Sequence, residues 1–86
     1  MIKKNLILAY AVGEMGAESI NFSSWKELHM HLFEHGLYSE FQVFDSDGNI
    51  VLSYREGYTC NHLNWSDSVP GSVLFEIVNR HASAKL

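Results

Sequence analysis

Proline occurs once, at position 70, and cysteine once, at position 60. A lone cysteine rules out a disulfide within the chain and fits a reducing compartment, so a cytoplasmic location is expected. Basic residues are also scarce. Lys3, Lys4, Lys26, Arg55, Arg80 and Lys85 are spread over 86 residues and outnumbered by ten Asp and Glu, giving a net charge of −4. Phosphate backbones are held by clustered Lys and Arg, so direct nucleic-acid binding is not expected. The carboxylates are too scattered to imitate a nucleic acid, and the acidity reads as solubility. Long apolar runs are missing as well. Leu6 to Val12 is the clearest, far short of the ~20 residues of a membrane helix and at the lower limit for a signal-peptide core. It reads as a strand, and no membrane partner is expected. Gly13 and Gly16 lack the Lys and following Ser or Thr of a phosphate-binding loop. The sequence shows no repeats or low-complexity segments, and a second domain is not expected.

What is present suits a compact chain: 47% of residues are apolar and 19% charged. At this length one domain with a thin core is expected. The aromatic share of 13% fits either that core or a partner surface.

The clearest segment runs from Phe41 to Tyr54. Two β-prone stretches flank Asp47-Gly48, a short-range hairpin signal. With a loop from Asp45 to Gly48, Val43 falls opposite Ile50 and Phe41 opposite Leu52, on one buried face with Tyr54. Gln42 then faces Val51 and Phe44 faces Asn49 on the other side, with Ser53 and Arg55. A slip of one residue would exchange the faces of one strand.

Residues 24–35 read as a helix. Ser24 and Glu27 form a capping box, Trp25, Leu28, Leu32 and Phe33 make an apolar stripe that includes His29, and Gly36 suits the C-cap. In the segment Leu6–Val12, Leu6, Leu8, Tyr10 and Val12 share one face and the small set Ile7, Ala9 and Ala11 the other, which suits a central strand. Gly13–Gly16 reads as a loop. Residues 57–68 also read as a loop, with room for a short strand at its start. Ser68, Asp67 and Pro70 signal a helix start, and Glu76 with Arg80 stand four apart. The last element is therefore read as a helix with Val73, Leu74, Ile77 and Val78 inward and Phe75 outward, although Val73–Val78 would also suit a strand. The expected fold is a small single-domain α+β sandwich in the order β-α-β-β-α. Its three-stranded, mainly antiparallel sheet is packed by two helices, and the first strand could lie beside either hairpin strand.

Four residue sets bear on function. His31 and His35 are four apart on one helix flank, one turn beyond Glu27, and Cys60 with His62 could complete a tetrahedral metal site. An ordinary polar helix flank is the favoured account of the histidines, since neither HExxH nor CxxC is present and one i,i+4 pair falls short of a full ligand set. Asp45-Ser-Asp-Gly-Asn49 starts like a calcium loop, but glycine comes too early and strands flank it, so turn chemistry accounts for it. Cys60 and His62 as nucleophile and base would lack an orienting third group. Finally, Phe44, Val51, Tyr58, Trp65 and Phe75 are apolar residues that the main core does not claim, and together they could form a partner-binding patch.

The expected function is a non-enzymatic protein-binding module without a cofactor, an accessory factor or inhibitor that contacts a protein partner or its own copy. The analogy is with small acidic domains of phages and mobile elements and rests on size and composition alone. The alternative is a metal-binding protein using His31, His35, Cys60 and His62.

Overall fold

A computed structural model describes residues 5–14, 16–36, 38–57, 59 and 61–84, with 80–84 as backbone alone. The chain is α+β. Five strands, β1 (Leu6–Val12), β2 (Gly16–Phe22), β3 (Glu40–Phe44), β4 (Ile50–Arg55) and β5 (His62–Trp65), join two helices, α1 (Trp25–His35) and α2 (Gly71–Ala84). The strands form one sheet in the order β2-β1-β3-β4-β5, and every neighbouring pair is antiparallel. The expected three strands become five. β2 emerges from the region after the Gly13 turn, where φ of 66° needs glycine, and β5 from the segment read as a loop. β1 pairs with β3 on one side and β2 on the other, so it is interior to the sheet.

Directly opposed residues share a face, and the pairing therefore sorts the sheet. Leu6, Leu8, Tyr10, Ile20 and Phe22 lie on the inner face with Phe41, Val43, Leu52, Tyr54, Leu63 and Trp65. Both helices cover this face. Leu28 and Leu32 of α1 and Val73 and Ile77 of α2 join Leu8, Phe41, Val43, Leu52 and Tyr54 in one buried cluster. Burial of each large side chain contributes about 1.5–3 kcal/mol before entropy is set against it.

Ser24 Oγ accepts from Glu27 N at 3.3 Å, as a cap should. Glu27, however, reaches one residue further back than a capping box requires: its Oε2 accepts from Ser23 N at 3.0 Å and from Ser23 Oγ at 2.7 Å. At the other end Gly36, with φ of 85°, donates its N–H to Leu32 O at 2.9 Å. Phe33, expected in the apolar stripe, is 61% exposed. It lies about 100° around the helix from Leu32, which carries it off the narrow buried stripe. The last element is a helix. Val73 and Ile77 are buried and Leu74 is half-buried, but Val78 faces out, contrary to expectation.

The hairpin differs from expectation by two residues. Phe41 pairs with Tyr54 and Val43 with Leu52, and a bulge then sets Phe44 opposite Ile50. A shift of two preserves every side chain's face, so Phe41, Leu52 and Tyr54 remain inside. The bulge leaves Val51 without an opposed residue and reverses the parity before it. Val51 turns into the core at 6% exposure, while Ile50, expected inside, is 53% exposed. Asp45 builds the turn. Its Oδ1 accepts from Asp47 N and Asn49 N, both at 2.9 Å, and Gly48 takes φ of 87°.

Among the described residues no helix is long and apolar enough to cross a membrane.

Candidate interaction surface

Packing one side of a two-layer fold leaves two broad surfaces, the outward sides of the helices and the bare face of the sheet. They differ in chemistry. α1 and α2 are held side by side by their buried stripes and by His29 Nε2, 3.4 Å from Glu76 Oε1 across the helix pair. Beside that contact lies a groove of about 440 Å³ lined by Lys26, His29, Met30, Phe33 and Glu76. Met30 and Phe33 are one turn apart on α1, and Phe75 and Val78 one turn apart on α2; all four are exposed.

The other flank of α1 carries an aromatic and histidine cluster. Tyr10 and Tyr38 stack with ring centroids 4.1 Å apart, and Tyr38 Oη lies 2.7 Å from His31 Nε2. His31 also meets the rings of Phe22 and His35, at 5.3 and 4.4 Å. Tyr10 donates to Glu18 at 3.1 Å. Loss of water and the Glu18 carboxylate push the Tyr10 hydroxyl above its ordinary range, and burial does the same for Tyr38. Burial, reinforced by the neighbouring His35, disfavours the charged form of His31 and lowers its pKa. His31 is thus a hydrogen-bonded partner of Tyr38, with its ring occupied in packing.

The bare sheet face is apolar at one end, where Ile7, Phe44 and Ile50 are opposed across three strands beside Ala9. Its other end is polar. A shallow groove of about 310 Å³ there is lined by Glu40, Gln42, Ser53, Arg55, His62 and Asn64, with Tyr54 below.

The residues singled out from sequence do not converge. Phe44 is half-buried on the bare face. Trp65 is 55% exposed on the edge strand β5, on the inner face of the sheet. Phe75 is 68% exposed on α2. Val51 is a core residue and offers no surface to a partner, for the reason the bulge supplies. Tyr58 lies outside the described residues. Of the metal alternative, His31 and His35 are adjacent, but His62 sits on the bare face of β5, with the sheet between it and α1. Cys60 lies outside the described residues, and among those described no group of three or more His, Cys, Asp and Glu is placed to hold a metal ion.

Met30, Phe33 and Val78 belong to the helix surface and were not expected there. A stricter reading of the helical wheel could have found Phe33 and Met30, since Leu28 and Leu32 define a stripe that excludes both. No family model matches the chain, and no curated protein or solved structure shows significant similarity to it.

Proposed function

We propose that the chain is a small non-enzymatic protein-binding module, an accessory factor or inhibitor, whose contact surface is the outward side of α1 and α2. One observation carries the reading. Among the described residues seven large apolar side chains stay exposed, and four of them, Met30, Phe33, Phe75 and Val78, stand on these two helices. Single exposed apolar groups are ordinary; a concentration on one side is the mark of an interface. Aromatic and methionine anchors beside polar groups are the usual composition of such surfaces, and Lys26, His29 and Glu76 line the groove next to Met30 and Phe33. Helices pinned by Leu28, Leu32, Val73 and Ile77 present these groups from a rigid base. A cytoplasmic setting and the lack of a cofactor belong to the same reading.

The test is capture of partners by the tagged full chain from its host, compared with a Met30→Asp/Phe75→Asp variant. Both positions are exposed, so the double change should cost no more than about 1 kcal/mol and leave the fold intact. Loss of a captured protein with an unchanged melt supports the reading. Retention of every captured protein by the folded variant refutes it.

A further inference from the structure

The sheet has two edges, and they are built differently. β5 is only four residues long, one of the usual ways of blunting an edge. β2 has seven residues and pairs with β1 along its whole length without a bulge. It contains no proline, lysine or arginine, and its one charge, Glu18, already accepts a hydrogen bond from Tyr10. Among the described residues no strand other than β1 pairs with it. A row of backbone donors and acceptors therefore faces outward along an unbroken strand of about 23 Å, and Glu18, on the helix-covered face, is the one feature of its sequence that opposes pairing.

We propose that β2 is a self-association edge, pairing antiparallel with β2 of a second copy about a two-fold axis at Ser19 to join the two sheets into one. The strand's own sequence selects the occupant and the register. A two-fold axis normal to the sheet requires opposed residues to share a face. Centring on Ser19 pairs the whole strand. On the helix-covered face, Phe22 lies opposite Gly16 of the second copy and Ile20 opposite its Glu18. An aromatic ring over a glycine covers backbone that the glycine leaves bare. On the bare face Ala17 meets Asn21, and Ser19 meets its own counterpart, so nothing bulky or charged obstructs the approach. Centring on Glu18 would shorten the ladder and set two carboxylates directly opposite, a destabilising pair. In the Ser19 register those carboxylates are diagonal neighbours, so added salt strengthens the association by screening them. This interface is separate from the helix surface proposed for a partner.

Sedimentation velocity of the full chain over a concentration series tests the proposal. The unmodified chain should form dimers. Ser19→Lys, at an exposed position, should leave the circular dichroism spectrum unchanged, leave partner capture intact and weaken dimerisation about tenfold by opposing two ammonium groups. In a Cys60→Ser background, Ser19→Cys should form an intermolecular disulfide under mild oxidation, because directly opposed residues stand ~4.5–5.5 Å apart at Cα. Asn21→Cys, facing Ala17 of the other copy, should not. A chain that stays monomeric at every concentration overturns the proposal. So does equal cross-linking at positions 19 and 21, or a dimer that ignores Ser19→Lys and is lost with Phe75→Asp.

Discussion

The bulge in the β3–β4 hairpin allows a sharp test, because strict alternation and the folded chain assign neighbouring residues to opposite environments. Replacing Val51 or Ile50 with Asp puts the same poorly strand-forming residue at adjacent positions of β4, so the propensity cost of up to ~1 kcal/mol largely cancels. Burial does not cancel. Val51 is 6% exposed and Ile50 53% exposed. At Val51 the change forfeits about 1.5–2 kcal/mol of apolar burial and leaves a carboxyl group in the core at a further cost of at least ~2 kcal/mol. Ile50 loses about half of its smaller burial, and its aspartate stays in water, for a total of about 1–2 kcal/mol. The difference of at least ~2 kcal/mol corresponds to a gap in Tm of at least ~8 °C for a domain of this size. Since such a domain has only ~4–13 kcal/mol of stability in all, Val51→Asp should remove a large share of it. Thermal melts followed by far-UV circular dichroism measure both. If Ile50→Asp is equally or more damaging, the bulge is misplaced and the register argument fails.

Three further outcomes follow from the local geometry. Ser24→Ala removes the acceptor for Glu27 N and should cost about 1 kcal/mol in urea denaturation, with the slope against denaturant unchanged. His31 has a lowered pKa in the fold, so between the ordinary histidine value of about 6.5 and its folded value the unfolded chain binds more protons. Stability should therefore fall as pH drops through that window. His31→Gln should flatten that part of the Tm-against-pH curve, even though it also loses the Tyr38 contact; an unchanged slope would contradict the assignment. Leu52→Ala, at a fully buried position in the middle of β4, should cost about 2–5 kcal/mol, again read from urea curves.

The elements with strong periodic signals were legible in the sequence. α1 announced itself through Ser24, Leu28, Leu32 and Gly36, and the hairpin through Asp47-Gly48 between β-prone stretches. The inward set Phe41, Leu52 and Tyr54 followed from alternation alone. Alternation could not distinguish registers two residues apart, since both give each side chain the same face, and it carried no sign of the bulge that exchanges Ile50 and Val51. β2 was hidden because it is an edge strand. Only Ile20 and Phe22 of its seven residues are partly buried, and the rest are exposed, leaving too little apolar contrast to read. β5 was hidden by brevity, its inner face amounting to Leu63 and Trp65. The candidate surface was legible only at Phe75. The other helix residues came into view once two buried stripes fixed which way each helix is turned.

Both proposed surfaces depend on β1 lying between β2 and β3, which leaves β2 at an edge and sets both helices on one face. Cross-strand backbone NOEs in an isotope-labelled sample at low concentration measure this directly. Leu8 should show contacts to Ile20 on one side and to Val43 on the other. Contacts from β1 to β4, or none between β1 and residues 16–22, would contradict it.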